Sequence, residues 1–146
     1  MGREKFRYLP HTADIAYFSY GSSKEEAIEN AALGLLNIML DIKKISAYDS
    51  KSNKLKIREK AESIEDLIWF TLQDILSNID ARALKAYRFE INSLKETKSG
   101  LTLSGSLLHK KMREDLSLLE VKAVTPHDLT ISKNKKGYKI HILVDV

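Results

Sequence analysis

An α+β domain, with two helices set among several antiparallel strands, is the fold class this sequence predicts, and three observations carry it. Two stretches open on helix-capping signals and continue with apolar residues at helical spacing. From Leu84 onward the pattern is all strand. The final run, Ile142-Leu143-Val144-Asp145-Val146, is apolar with a single carboxylate in it. A chain of 146 residues suits one domain spanning 1–146.

The elements follow in order. Phe6 to Tyr20 reads as extended, interrupted by a turn-like Pro10-His11-Thr12. Gly21-Ser22-Ser23 punctuates, and Ser23 with Glu26 forms a capping box. The helix behind it carries Ala27, Ala31, Leu35, Ile38 and Met39 on one stripe and ends near Asp41. Residues 45–58 read as a strand with a polar break at Asp49 to Asn53, and Lys54 to Arg58 alternates strictly, one face apolar and one in water. Ser63 and Asp66 give a second cap. The helix after them has Ile64, Leu67, Ile68, Leu72, Ile75, Leu76 and Ile79 on a wide stripe, with Trp69 beside it as a core residue rather than a stacking platform. Tyr87, Phe89 and Ile91 then alternate with charges, and Leu101, Leu103 and Gly105 lead a further strand. His109 to Arg113 reads as a basic turn. Leu118 to Val124, Leu129 to Ser132 and Tyr138 to Val146 read as extended, the last after a hairpin turn at Asn134 to Gly137.

Composition excludes several function classes. There is no cysteine, so disulfides, thiolate metal sites, Fe–S clusters and cysteine nucleophiles are ruled out. No stretch approaches the roughly 18 apolar residues of a membrane span. Met1 to Phe6 has no apolar signal core, so a cytoplasmic location is expected. Net charge is +4, and it is uneven: residues 1–80 hold 11 Lys+Arg against 13 Asp+Glu, residues 81–146 hold 13 against 7. The basic second half suits either a solvated surface or an RNA or acidic partner. Walker-type, G-x-G-x-x-G, H-E-x-x-H and G-x-S-x-G motifs are missing. The four histidines lack zinc-finger spacing.

Three pieces carry chemistry. In His11-Thr12-Ala13-Asp14-Ile15-Ala16, Asp14 interrupts an apolar extended run. A carboxylate there is costly unless paired or cation-bound; the bland reading is an edge strand with Asp14 in solvent or capping a turn. At the other end, the Asp145 side chain and the α-carboxylate of Val146 lie close together. If Asp14 sits on a neighbouring strand, the three anionic groups converge and need a cation or a partner's basic group. All-oxygen ligation suits calcium, magnesium or manganese rather than zinc; the bland reading is a frayed end. In Val121-Lys122-Ala123-Val124-Thr125-Pro126-His127, Lys122 can neutralise carboxylates or contact phosphate, or is simply an exposed strand lysine.

Together these pieces resemble the archease family. Its His-Thr-Ala-Asp motif is matched by His11 to Asp14. Its Glu-Ala and Asn-Ala-Ala helix is matched by Glu25-Glu26-Ala27 and Glu29-Asn30-Ala31-Ala32. Its Lys-Ala-Val-Thr-Tyr-His motif is matched by Lys122 to His127, with Pro126 in place of tyrosine, and its Asp-aliphatic ending by Asp145-Val146. Ser106 stands where the family tends to have glutamate. The resemblance spans essentially the whole chain. It implies a strand–helix–strand–strand (SHS2-like) domain with an added strand-rich C-terminal half. It also implies a non-enzymatic role: activation of the RtcB-type RNA-splicing ligase by promoting its GTP-dependent guanylylation and its turnover, with tRNA touched indirectly through the ligase. Asp14, Asp145 and a Val146 oxygen would then hold a divalent metal ion, with Lys122, His11 and His127 as functional neighbours. Two other readings compete. One is a stand-alone RNA-binding or chaperone module using the basic half. The other is a metal-dependent phosphoester hydrolase using the same carboxylates.

Overall fold

The computed structural model describes residues 4–9 and 14–146. Two antiparallel sheets share a layer of helices. The first sheet has the order β1 (Phe6–Leu9), β2 (Asp14–Gly21), β8 (Gly137–Asp145), β6 (Ala123–Val124), with β7 (Thr130–Asn134) also paired to β8. The second has the order β3 (Asn53–Ala61), β5 (Gly100–Lys110), β4 (Lys85–Thr97). Helix α1 (Lys24–Met39) packs on β2 of one sheet and β4 of the other. Helix α3 (Ile64–Arg82) packs on β3 and β5 and reaches β6 and β7. The α+β class and the two main helices are as the sequence predicts. A short third helix, α2 (Ile42–Ala47), is added.

Both long helices begin on the predicted caps. Ser23 Oγ accepts from Glu26 N–H at 3.1 Å, and the Glu26 carboxylate reaches back to Ser22 N–H at 2.8 Å. Ser63 Oγ accepts from Asp66 N–H at 3.1 Å. The Ser23 and Ser63 hydroxyl bonds each satisfy an orphan donor of a first turn, a contribution of about 1 kcal/mol, while the Glu26 carboxylate ties down the residue before the cap. Leu35, Leu36, Leu67, Ile68, Leu72 and Ile75 are fully buried between the sheets. Among the described residues no helix is long and apolar enough to cross a membrane.

Buried polar bonds fix how α1 meets the first sheet. The Tyr17 hydroxyl donates to Ala31 O at 2.7 Å and the Ser19 hydroxyl to Ala27 O at 2.9 Å, both away from water. Gly34 makes this approach possible. A Cβ there would stand 2.6 Å from the Tyr17 ring.

Three expectations are corrected. Residues 45–47 are not strand: Asp41 caps α2 by accepting from Lys44 N–H at 3.2 Å, and fully buried Ile45 anchors the helix, so the strand starts only at Asn53. One such apolar anchor contributes about 1.5–3 kcal/mol, enough to outweigh a short local β preference. Nor are His109 and Lys110 a turn. They end β5, and Lys110 is 8 % exposed. Its ammonium donates to Ser46 O at 2.8 Å and Tyr48 O at 2.7 Å, the carbonyl end of α2, and lies 5.2 Å from the Tyr87 ring centre. A cation suits that place because helix C-terminal carbonyls are short of donors and carry partial negative charge. Finally, of the 118–124 segment only Ala123 and Val124 join a ladder. Leu118 and Leu119 remain 61 % and 45 % exposed.

On β3, Glu59 lies on the helix-facing side with Ile57 and Ala61, close to Asp74 of α3. Burial, then the charge of Asp74 and a hydrogen bond with it, raise the Glu59 carboxyl to about 7. A carboxyl raised in the folded state adds stability below its unfolded value, and that stability is lost as pH climbs through about 7. Melting temperature should therefore fall from about pH 5 to about pH 8, and Glu59→Gln should flatten that decline. Lys110→Met leaves two α2 carbonyls without their donor; urea titration should show a loss of about 1–3 kcal/mol.

Candidate functional site

Asp14 opens β2 and Asp145 closes β8, and the antiparallel register makes them direct partners. Residues so opposed carry their Cβ atoms on one face, about 4.5–5.5 Å apart. The alternation of β2 puts Asp14 on the face away from α1, since Tyr17 and Ser19, of opposite parity, are the residues bonded to that helix. Across β8, Ala123 is the other partner of Asp145, and Lys122 N–H donates to Asp145 O at 2.7 Å. Three segments far apart in sequence thus meet at one end of one sheet.

The electrostatics of that end are unbalanced. Both aspartates are half-buried, Val146 beside them is half-buried, and Lys122 is exposed. Among the described residues Arg88–Glu90 is the single ion pair, so neither aspartate has a salt-bridge partner there. Like charges directly opposite on a sheet destabilise it. A hard cation would relieve the repulsion, and carboxylate oxygens are its preferred donors. Among the described residues no three His, Cys, Asp or Glu side chains gather at one point. The side chains present fit a divalent ion of the calcium, magnesium or manganese type as a partial shell. The remaining positions are left to backbone or terminal oxygens, water or a second molecule.

The other expected residues fall differently. His11 lies outside the described residues. His127 is exposed in the turn between β6 and β7. Asp128 of that turn meets His141 through its carbonyl at 2.8 Å. His141 is four residues before Asp145 on β8, or about 13 Å along the strand, and no described bond links His127 to either carboxylate. Pro126 and Ser106 do not touch the pair in any described bond.

Residues 6–146 match the model of the Archease protein family (MTH1598/TM1083). The chain belongs to the archease family. It is 32 % identical to the protein archease of Methanosarcina barkeri over 98 % of this chain and 97 % of that one. It is 30 % identical to the protein archease of Archaeoglobus fulgidus, over 97 % and 99 %. The solution structure of Methanobacterium thermoautotrophicum protein 1598 superposes with a TM-score of 0.80 at 26 % identity, covering 97 % of this chain and 99 % of that one. The crystal structure of an archease, possible chaperone, from Thermotoga maritima shares the fold, with a TM-score of 0.57 at 24 % identity over 100 % and 98 %.

Several residues that shape this archease site were not read as site residues in the sequence. The Trp69 indole N–H donates to Val124 O at 2.6 Å, and Gln73 Oε1 accepts from Val124 N–H at 3.0 Å. Two α3 side chains thereby hold both backbone groups of the short β6 strand and keep Lys122 beside Asp145. On the α1 side of the sheet, Asp14 also borders a cleft of about 360 Å³ lined by Tyr8, Leu9, Ile15, Asn37, Ile38 and Leu119. The Tyr8 hydroxyl donates to Gly34 O at 2.8 Å and accepts from Asn37 at 3.1 Å, and burial raises its pKa. Trp69→Phe keeps the ring and removes the donor. Amide exchange at Lys122 and Val124 should quicken while the α3 core amides stay protected, with a stability loss of about 0.5–1.5 kcal/mol.

Proposed function

We propose that this chain is a non-enzymatic, cytoplasmic activator of an RtcB-type RNA-splicing ligase, promoting its GTP-dependent guanylylation and multiple turnover. The resemblance of its motifs to those of archeases motivates the reading, and one observation carries it: the direct cross-strand pairing of Asp14 with Asp145, with Lys122 bonded at the same point. Asp14, Asp145 and a Val146 oxygen would hold the divalent ion. Two carboxylates and one further oxygen are too few for the six to eight ligands of calcium or the octahedron of magnesium. Such an incomplete shell favours sharing the ion with phosphate oxygens on a second molecule over closing it within one protein.

Each group then has a role. A divalent cation held there supplies positive charge for a triphosphate during nucleotidyl transfer, where electrostatic stabilisation is the main lever. Asp14 and Asp145 bind and orient it from a rigid sheet rather than from a loop. The ammonium of Lys122, on an exposed side chain at the same sheet end, adds a further positive charge toward phosphate. Trp69 and Gln73 act as positioning residues through β6. Among the described residues no general base stands beside the carboxylates, which favours activation over a phosphoester hydrolase of its own.

The test is ligase guanylylation and multiple-turnover RNA ligation with purified Asp14→Asn and Asp145→Asn proteins. Activation should drop to near the ligase-alone level in both. Full activation by both folded variants ends the reading. Stability gives an independent measure. In chelator the single variants should melt higher than the parent, because one of two opposed charges is gone. Added manganese or calcium should raise the melting point of the parent and not of the variants.

A further inference from the structure

The outer face of the second sheet carries a second feature, unrelated to the carboxylate pair. On β3, Lys54, Lys56, Arg58 and Lys60 occupy every second position, and all four are exposed. Their alternation partners Ile57 and Ala61 are buried beneath α3, so the four cations lie on the face turned away from the helices. Successive cations on a strand are about 6.6 Å apart, comparable to the phosphate spacing of an extended nucleic acid strand.

The donor field does not stop at the edge strand. In register with Lys60 and Arg58 stand Thr102, exposed, and Ser104, half-buried, of β5, whereas Ser106 opposite Lys56 is buried and donates to Asn92 Oδ1 at 3.3 Å. Beyond them, on β4, Lys95 aligns with Thr102 and Ser93 with Ser104, and Arg88 aligns with Leu108. Glu90 is the one carboxylate in register on this face, and Arg88 neutralises it at 3.2 Å. None of the four β3 cations has an acidic partner among the described residues. Lys56 instead donates to Asn92 Oδ1 at 3.2 Å, an easily exchanged contact. Lysines on an edge also discourage edge-to-edge pairing. That purpose ends at the strand, whereas here cations and hydroxyls continue across all three strands.

We propose that this face binds the sugar-phosphate backbone of a single-stranded nucleic acid, independently of sequence. Charge complementarity and the regular spacing favour a polyanion of repeating phosphates. No aromatic side chain is in register on the face beyond the first bulge of β4, so base stacking contributes little and phosphate contacts dominate. The inference does not depend on the ligase reading, and the ligase is not used to test it.

The measurement is fluorescence anisotropy of a fluorescein-labelled oligouridylate with the full chain, across a salt series. Four phosphate contacts to a single strand give a slope near −2.8, so affinity should fall about fifty-fold between about 50 and 200 mM salt. Lys56→Glu/Arg58→Glu should weaken binding and reduce that fall to about sevenfold. Lys56→Gln/Arg58→Gln repeats the test with milder changes if the first protein does not fold. Lys135→Glu/Lys136→Glu, in the exposed turn of the other sheet, changes net charge equally and should leave binding near the parent's. Equal weakening by that control, or no salt-dependent binding by the parent, overturns the proposal. So does displacement of the RNA by polyglutamate at equal charge concentration, which would mark an acidic polypeptide as the partner.

Discussion

Everything at the carboxylate end depends on the register between β2 and β8. Side chains alternate with period two, so a slip of one residue would carry Asp14 to the opposite face and separate it from Asp145. The register is specified well away from the site. Tyr17 and Ser19 each spend a hydroxyl on an α1 carbonyl, and their partners on β8, Ile142 and Ile140, are fully buried. A slipped pairing would leave those hydroxyls buried without acceptors and push two isoleucines into water. The first cost is about 1–3 kcal/mol per polar group and the second about the same per side chain. These terms exceed what two half-buried like charges at a strand end lose by facing each other, so the core fixes the unfavourable pairing in place.

The same division of labour runs through the other side of β8. A two-residue strand such as β6 has almost no ladder of its own. Trp69 and Gln73 supply from α3 the bonds that a longer neighbour would have provided. Helix α3 is itself fixed by a cap at Ser63 and a continuous buried stripe. The rigidity of the chemical end is thus borrowed from the helix layer, and Lys122 is held by its backbone while its side chain is exposed.

Much of this was legible in residues. The caps at Ser23 and Ser63, the apolar stripes behind them, the hairpin at Asn134 to Gly137 and the strict alternation of Lys54 to Arg58 all have short-range causes, and all stand. Helix α2 did not announce itself, because six residues give too little periodicity and its reason is tertiary: Ile45 finds a buried slot and Lys110 closes its far end. For the same reason Lys110 read as part of a basic turn, since its partners are carbonyls more than sixty residues away, which carry no residue-type signal. Asp14 and Asp145 were conspicuous as charges in apolar runs. That they oppose each other across one ladder is a fact of topology, as is the supporting role of Trp69 and Gln73. The cationic row on β3 was visible as alternation, but the hydroxyls extending it come from a strand that pairs only in the folded chain.

The central place of β8 has a kinetic side. β8 pairs with β2 and with β6 and β7, yet it is the last strand in the order of elements, while β1 and β2 come first. Closing that ladder means bringing together segments from opposite ends of the sequence, the kind of non-local contact that slows folding. Until it closes, β2 presents an unpaired edge with Tyr17 and Phe18 on it, open to association with other chains. The three-stranded sheet and α3, built from neighbours in sequence, have no such wait. Sequence separation therefore favours closure of the local β4–β5 and β7–β8 hairpins ahead of the β2–β8 ladder.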